Sequence, residues 1–333
     1  MDQERTIIEQ TVASGFEKLK YLVMKTKQNY ISVRLFNLFF ILIVASGYNS
    51  DDSRKQISIL KVSDNGHFLM TSDGNPFFWL GDTGWLMFGK LTREEGNKYL
   101  EDRKKKGFNV IQVMVLHDVK RAVNVYEDSA LINNNVAAPL TTPGNYYNDS
   151  VQYDFWDHVE YFIDLAAEKG LYMALVPVWG SNVKDGWVTT AQAEVYAHWL
   201  AKRFGTKTNV IWLNGGDIFG SDSINVWNTI GYTLKKDAPA QLVSFHPRGR
   251  SQSSWWFHNE PWLDFNMFQS GHRRYDQDDT RLCYGEDNWK YVETDYLRIP
   301  VKPVLDGEPS YEEIPQGLHD TTQPYWTADD VRR

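Results

Sequence analysis

The sequence is poor in cysteine and in positive charge, and both shortages exclude classes of function. Its one cysteine, Cys283, rules out an internal disulfide and a zinc site built from several thiolates. The chain has 35 Lys and Arg against 43 Asp and Glu, which gives a net charge of -8. Because a nucleic-acid binder normally presents a basic face, binding of nucleic acid through phosphate contacts is disfavoured. The sequence also lacks a G-x-S-x-G motif and a Ser, His and Asp set with hydrolase spacing.

Apolar and aromatic residues, in contrast, are abundant. Hydrophobic residues make up 42% of the 333 positions, enough for a large core that must be stable through packing alone. Many of the 13 Trp and 18 Tyr lie at or near predicted strand ends. Aromatic rings at such places either fill a core or stack on the C–H faces of sugars, and the sequence leaves both readings open.

One apolar run near the N-terminus is flanked in the order of an export signal. Basic residues precede the run at 35–44, and small residues follow it at 45–47. The run is shorter than the roughly 20 residues that span a bilayer, so we expect a cleaved bacterial-type signal peptide over 24–47. Residues 1–23 then form an upstream extension of the reading frame, and 48–56 form a polar linker. This predicts a secreted or periplasmic protein without stable membrane insertion after signal cleavage.

From residue 57 onward, short apolar strands alternate with amphipathic helices. The stretch 57–78 carries turn signals at 64–66 and 72–76, and it predicts a hairpin that covers one end of the domain. The remainder favours parallel strands joined by right-handed crossovers. Seven such strands are predicted: Phe77 to Leu80, Val110 to Leu116, Tyr172 to Val178, Val210 to Leu213, Leu242 to Phe245, Phe265 to Phe268, and Pro303 to Asp306.

This order of elements predicts an α/β fold, a (β/α)8 TIM barrel. Continuous apolar strands are buried on both faces, and eight strand-helix units make a barrel of about 250 residues. About seven of the eight units are found over 57–333, and residues 325–333 resemble the capped start of the seventh helix, so we expect a C-terminally truncated barrel. A doubly wound open sheet is the rival, but residues 81–85 lack its Gly-rich phosphate loop.

Catalytic groups of a barrel lie where the strands end, and the residues there are unusually polar and aromatic. We predict that nine of them bind substrate: Asp82, Trp85, His117, Trp179, Asn214, His246, Gln269, His272 and Tyr311.

Two carboxylates, Asp217 and Glu308, follow glycines at the ends of strands four and seven, where the missing Cβ lets other groups approach. These strands lie roughly opposite in an eight-stranded ring. Glycosidic bond cleavage needs two facing carboxyls, one for the leaving oxygen and one for the anomeric carbon. We therefore predict Asp217 as acid/base and Glu308 as nucleophile, against helix capping for the first and a rim salt bridge for the second. Asp306 should point away from this pair.

Other positions keep two readings. Asp82 either binds sugar hydroxyls or shapes a turn through a local hydrogen bond. His117 and Asp118 are adjacent on a strand and point to opposite faces, which argues against a metal pair, and we expect no metal or other cofactor. Arg248 and Arg250 either pair with the carboxylate of an acidic sugar or are merely solvated.

Several motifs occur in an order that resembles a known family. They are F-W-L-G-D-T-G-W at 78–85, G-F-N-V-I-Q at 107–112, N-G-G-D at 214–217 and D-G-E-P-S-Y-E at 306–312. Together they resemble the DUF4038 group of bacterial proteins, which includes the family 140 glycoside hydrolases, the apiosidases. The resemblance covers roughly residues 60–333.

The resemblance implies a (β/α)8 barrel that removes apiose from the side chains of rhamnogalacturonan II, a pectic polysaccharide, in the periplasm or outside a gut-type bacterium. Asp217 falls on the family's acid/base and Glu308 on its nucleophile. Family members also carry an eighth strand and a C-terminal β-sandwich, for which we find no counterpart in the sequence. The alternatives are an inactive or glycan-binding remnant of such an enzyme, or a glycosidase that acts on another plant glycan.

Overall fold

The computed structural model describes residues 57–149, 151–277, 284 and 287–331. The predicted upstream extension, signal peptide and linker lie outside these residues, as does Cys283. In the part of the chain that is described, no helix combines the length and the apolar character needed to cross a bilayer.

A small antiparallel sheet begins the described chain. Its strands are β1 (Leu60–Val62), β2 (Leu69–Thr71) and β3 (Pro76–Phe77), in that spatial order. Gly66 and Gly74 adopt φ values of 78° and 95° at the two predicted turns, a conformation that glycine reaches without a Cβ penalty. Leu60 and Leu69 pack in one apolar cluster with Val110, the first residue of a parallel strand. The sheet therefore covers the end of the domain at which the parallel strands begin.

Seven parallel strands carry the fold of the described residues. They are β4 (Gly81–Thr83), β5 (Val110–Leu116), β6 (Tyr172–Val178), β7 (Val210–Ile218), β8 (Val243–Pro247), β10 (Asn266–Gln269) and β11 (Val304–Asp306), and the short β9 (Ser251–Gln252) pairs antiparallel with β10. Strands β4 to β8 pair in sequence order, and β10 pairs with β11. The two groups are joined by hydrogen bonds, including 2.7 Å from the Ser244 hydroxyl to the Phe265 carbonyl.

Helices separate the parallel strands, as the alternating pattern predicts. The α-helices are α1 (Met87–Lys90), α2 (Arg93–Lys105), α3 (Phe155–Glu168), α4 (Gly180–Lys184), α5 (Thr190–Phe204), α6 (Ile224–Asp237), α7 (Ser254–Phe257), α8 (Trp289–Tyr296) and α9 (Ala328–Val331). Short 3-10 helices lie at Val119–Arg121, Ile132–Asn134, Gly220–Ser223 and Tyr275–Gln277. Helix α2 begins with the predicted capping box between Thr92 and Glu95. Gly170 follows α3 with a φ of 72°, as a helix-ending glycine does.

Within the described part of the chain, the core consists of two apolar clusters, one on each face of the parallel strands. Val110 and Ile211 belong to the inner cluster, whereas Val113 and Trp212 belong to the cluster that includes helix residues. All residues of β5, β6, β8 and β10 are buried, whereas β4 and β11 are half-buried throughout. The sheet curls with its first and seventh parallel strands as the two more accessible ones.

The first parallel strand is displaced from its predicted position at 77–80. Strand β4 begins later because its register pairs Gly81 with Val110. Two of the apolar residues before it are exposed instead, Phe78 at 80% and Leu80 at 41%. The α/β class and the other six strands are confirmed; β5 and β6 have their predicted bounds, and the ends of the remaining four shift by a few residues. Truncation of the barrel stays a prediction.

Candidate active site

A pocket of about 370 Å³ opens at the carboxyl ends of the parallel strands. It is lined by Trp85, Trp179, Asp217, Arg248, Gly249, Arg250, Gln269, Gly271, His272, Arg273, Glu308, Tyr311, Gly317, Leu318 and His319. The two predicted carboxylates, Asp217 at the end of β7 and Glu308 just after β11, therefore face the same cavity. This is the end of a barrel at which catalytic groups lie.

Asp217 reaches the pocket through a distortion of β7. The pairing with β8 becomes irregular after Gly215, and Asp217 adopts a φ of 51°, which aspartate tolerates better than most residues. A Cβ on Gly215 would lie 2.6 Å from the His246 carbonyl oxygen, and one on Gly216 would lie 2.5 Å from the Trp179 ring. The predicted close approach at these glycines is confirmed.

The carboxylate of Asp217 is available to a substrate. Helix capping, the alternative reading of Asp217, is not what the structure shows, because the residue that precedes α6 is Ser223. Asp217 is exposed, and among the described residues its carboxylate has no hydrogen-bond or ion-pair partner. Its backbone N–H donates to Nδ1 of His246 at 3.4 Å, which ties the distorted end of β7 to β8.

Glu308 is buried, and donors surround its carboxylate. Gln269 Nε2 donates to Oε2 at 3.0 Å, His272 Nε2 lies 3.2 Å from Oε1, and the Tyr311 hydroxyl donates to Oε1. His246 Nε2 lies 3.3 Å from Oε2, although its alignment falls short of a hydrogen bond. Burial raises the pKa of Glu308, but the interactions with His246, His272 and Tyr311 outweigh it and hold the pKa well below its usual range. Glu308 is therefore ionised, as a nucleophile must be.

Asp306 lies on β11 beside Glu308 and does not line the pocket. Its Oδ1 accepts the backbone N–H groups of Ser270 and Glu308, both at 3.2 Å, and its Oδ2 accepts the Ser270 hydroxyl at 2.5 Å. Although part of the residue remains accessible, the carboxyl is enclosed, and burial raises the pKa of Asp306 to about 6. Asp306 therefore fixes the turn that presents Glu308 instead of facing the substrate.

An aromatic wall closes one side of the pocket. The Trp85 ring lies 5.4 Å from the Trp179 ring and 5.3 Å from the His246 ring, measured between centroids. Trp85 Nε1 donates to the Tyr311 hydroxyl at 2.8 Å, so a chain of hydrogen bonds runs from Trp85 through Tyr311 to Glu308. Such rings offer apolar faces for the C–H groups of a sugar.

Three arginines, Arg248, Arg250 and Arg273, line the pocket together with His319. Arg250 adopts a φ of 64°, and its backbone N–H donates to the Gln269 carbonyl at 2.6 Å. The pocket wall is therefore rich in cationic side chains, whereas the whole protein has a net charge of -8. Guanidinium groups bind carboxylates through paired hydrogen bonds.

Asp82 and Asn214 point away from the pocket, contrary to their predicted role. The Asp82 carboxylate accepts the Tyr99 hydroxyl at 2.7 Å and lies 3.2 Å from Arg103, both on α2. Asn214 donates to the Trp227 carbonyl on α6 at 2.6 Å. Strand alternation turns both side chains toward the helices, because the displacement of β4 puts Asp82 inside a strand and Asn214 falls on the helix-facing side of β7.

The other predicted site residues lie in or near the pocket. Trp85, Trp179, Gln269, His272 and Tyr311 line it, and His246 lies behind it against Glu308. His117 lines two smaller neighbouring cavities instead, and Asp118 accepts the Lys120 N–H at the start of a 3-10 turn. In the described ranges, no group of three or more His, Cys, Asp and Glu side chains is placed to hold a metal ion.

Arg273 and His319 also line the pocket, although no sequence motif singles them out. Gly317 and Leu318 adopt φ values of 96° and 73°, and Gly317 donates its N–H to the His272 carbonyl at 2.7 Å, so the loop after β11 turns back to the pocket. A glycine is the one local signal of such a turn, and it does not indicate where the neighbouring side chains point.

Parallel strands that alternate with helices and curl around a pocket at their carboxyl ends define the class of protein as an α/β protein of the barrel type. Within this class, the profile of the family described as apiosidase-like, catalytic domain, matches residues 63–333. The chain belongs to this family, which confirms the resemblance in its sequence. A comparison with curated protein sequences gives no match.

Solved structures share this fold. A glycoside hydrolase family 5 protein from Bacteroides vulgatus ATCC 8482 is 41% identical, over 83% of this chain and 58% of that one, with a TM-score of 0.76. Another structure, described as a glycoside hydrolase, is 44% identical over 83% of this chain and 62% of that one, also with a TM-score of 0.76. The chain thus spans 58% and 62% of these two proteins. An endo-1,4-beta-mannanase from Rhizomucor miehei, 13% identical over 74% of this chain and 80% of its own, has the same fold with a TM-score of 0.52.

Proposed function

We propose that this chain carries the active site of a retaining glycoside hydrolase that removes a side-chain sugar such as apiose from rhamnogalacturonan II. The observation that carries the proposal is that Asp217 and an ionised, donor-surrounded Glu308 line one pocket at the carboxyl end of the strands. Membership of the apiosidase-like family supports apiose as the sugar.

In the first step, the Glu308 carboxylate attacks the anomeric carbon while protonated Asp217 gives its proton to the leaving oxygen. The glycosidic bond breaks, and a covalent glycosyl ester on Glu308 forms. In the second step, the Asp217 carboxylate takes a proton from water as the water attacks the anomeric carbon. The ester bond breaks, and the sugar leaves with its anomeric configuration retained. Enzymes of this kind hold the two carboxyl groups about 5 to 5.5 Å apart.

The donors around Glu308 support this mechanism. Gln269, His272 and Tyr311 all interact with its oxygens, so they stabilise the carboxylate both before it attacks and as it leaves. The same donors orient Glu308 toward the cavity. Asp217, in contrast, has a carboxylate exposed to the pocket, as a group that gives and takes a proton requires.

The arginine side chains support a pectic substrate. Pectic polysaccharides are rich in uronic acids, and Arg248, Arg250 and Arg273 line the pocket that also holds the two carboxylates. An arginine that pairs with a uronate carboxylate favours an acidic glycan over a neutral one.

Release of apiose from rhamnogalacturonan II fragments with terminal apiose tests the proposal. Glu308→Gln should lower kcat by about a thousandfold, because the amide is not a nucleophile. Asp217→Asn should lower it by about 10² to 10⁴. On 4-nitrophenyl apioside the Asp217→Asn loss should be much smaller, because nitrophenolate leaves without being protonated.

The control variants also replace a carboxylate by an amide, but at positions outside the pocket. Glu260→Gln alters a glutamate in the loop before β10, and Asp222→Asn alters a surface aspartate paired with Lys184 at 3.5 Å. Neither should reduce apiose release. Full activity in both Glu308→Gln and Asp217→Asn would contradict the assignment of these two residues.

We also propose that the protein is exported, because residues 24–47 have the order of a signal peptide. N-terminal sequencing of the protein recovered from the periplasm or the medium tests this. A mature N-terminus close to residue 48 is expected, and a protein that retains Met24 in the cytoplasm would contradict it.

A further inference from the structure

A second pocket, of about 360 Å³, lies beside the catalytic pocket, and Trp85 lines both. Its floor is apolar and includes Met114, Val115 and Phe155. Its rim is charged and includes Lys90, Asp118 and Arg121. The mechanism proposed above makes no use of these rim residues or of the space between them.

The lining of this second pocket matches the surface of a sugar. A sugar ring has C–H faces that pack on apolar side chains and hydroxyls that bond to charged groups at an edge. The volume of 360 Å³ falls within the range of small-molecule sites, about 300 to 1,000 Å³. Leu86 and Val123, which also line the pocket, are 40% and 36% exposed, so the cavity is open to solvent on the side where a glycan would enter.

Trp85 connects the two cavities physically. Its Nε1 donates to Tyr311 at 2.8 Å, and Tyr311 donates to Glu308, so the shared wall is fixed to the nucleophile. A ligand in the second pocket therefore lies one aromatic ring away from a ligand in the first. This continuity favours two units of one molecule over an unrelated small ligand.

We propose that the second pocket binds a further sugar unit of the same glycan whose scissile bond lies between Asp217 and Glu308. The inference rests on the proposed function, because it takes the occupant of the first pocket to be a sugar. A glycan with at least two sugar units fills both cavities, whereas free apiose fills one. The second pocket thus determines preference for an oligosaccharide over a monosaccharide.

Binding measured by titration calorimetry tests the inference without turnover. In the Glu308→Gln background, Val123→Trp fills the second pocket from its accessible side, and Val195→Trp places the same ring on α5, where Val195 is 50% exposed and outside both pockets. The probes are rhamnogalacturonan II fragments with terminal apiose, and free apiose. We expect Val123→Trp to raise the Kd of the fragments at least tenfold relative to Val195→Trp, and to narrow the preference for fragments over apiose.

A second, milder variant guards against misfolding. Arg121→Ala removes an exposed rim charge and should raise the fragment Kd about threefold to tenfold, because water screens the interactions of an exposed guanidinium group. Equal fragment Kd values in Val123→Trp and Val195→Trp, with unchanged melting temperatures, overturn the inference. So does a Glu308→Gln parent that does not bind the fragments. If the wild-type protein does not release apiose but the fragment Kd of Val123→Trp is still tenfold above that of Val195→Trp, the proposed function is refuted, whereas sugar binding in the second pocket is supported.

Discussion

Among single residues, Glu308 depends on the hydroxyl of Tyr311 for part of its low pKa. Tyr311→Phe removes this donor and leaves Trp85 Nε1 without its acceptor. The pKa of Glu308 should rise, so the acid limb of the profile of kcat/KM against pH should move to higher pH. Loss of a hydrogen bond to a charged group costs about 1.5 to 3 kcal/mol, which corresponds to a kcat loss of about 10- to 100-fold.

Tyr232→Phe is a matched control for this change. The Tyr232 hydroxyl also donates to a glutamate, Glu260, but it lies outside the pocket lining. The Tyr232→Phe substitution should leave both kcat and the acid limb of the pH profile unchanged. An acid limb that stays in place in Tyr311→Phe would show that the hydroxyl does not control the ionisation of Glu308.

The raised pKa of Asp306 predicts that the stability of the fold depends on pH. Its folded pKa of about 6 exceeds the unfolded value of about 3.9, so its contribution is fully present below pH 4 and is lost as the pH rises through 6. Asp306→Asn removes this dependence, since an amide does not ionise. The melting temperature of the variant, relative to the wild type, should therefore be higher at pH 7.5 than at pH 4.5. An equal difference at both pH values would contradict the raised pKa.

Among the elements, β7 owes its shape to two glycines before Asp217. Gly216→Ala places a Cβ against the Trp179 ring at a φ of 101°. Gly186 has a φ of 81° with nothing near its Cβ position, so Gly186→Ala measures the backbone strain alone, about 1 to 2 kcal/mol. We expect Gly216→Ala to lower the free energy of unfolding by more than this and to raise KM, because Trp179 must move. Equal unfolding losses and an unchanged KM would show that the contact is unimportant.

The strands with apolar sequences could be predicted, whereas β4 could not. Strands β5 and β6 match their predicted bounds because each is a run of seven residues that are nearly all apolar, and such a run predicts a buried strand without further information. Strand β4 is Gly-Asp-Thr, which has no apolar signal, and its position follows from pairing with β5. Nothing in the local sequence states that register.

The same limits apply to the site. Asp217 and Glu308 could be predicted because each follows a glycine at a strand end. The direction of Asn214 could not be taken from its place after the apolar run, because β7 continues beyond it to Ile218. Arg273 and His319 lie on loops, and their approach to the pocket depends on loop paths that no periodic pattern encodes.

Across the whole molecule, one buried side chain links strands that do not pair with each other. Gln112 on β5 donates to the carbonyl of Gly307, next to Glu308, at 2.6 Å. Gln112→Leu should lower the free energy of unfolding by about 1 to 3 kcal/mol, because the carbonyl loses its buried donor. It should also lower kcat, because the turn that carries Glu308 is no longer held from β5.

Gln252→Leu separates the two effects. Gln252 also donates to a buried carbonyl, that of Tyr291, at 2.9 Å, but Tyr291 and its chain neighbours do not line the pocket. Denaturant unfolding should show similar losses for both variants, and apiose release should fall in Gln112→Leu alone. An unchanged kcat in Gln112→Leu would show that the hydrogen bond from Gln112 to Gly307 contributes to stability but not to catalysis.

On the proposed acidic glycan substrate, the arginines of the pocket and the net charge of -8 should act at different distances. Far from the protein, the glycan meets the field of the whole chain and is repelled, whereas close to the pocket it meets guanidinium groups and is attracted. Added salt screens the distant repulsion and weakens the exposed part of the close attraction. Higher ionic strength should therefore speed the encounter with the glycan and shorten the time for which it stays bound. We expect turnover to be fastest at an intermediate salt concentration.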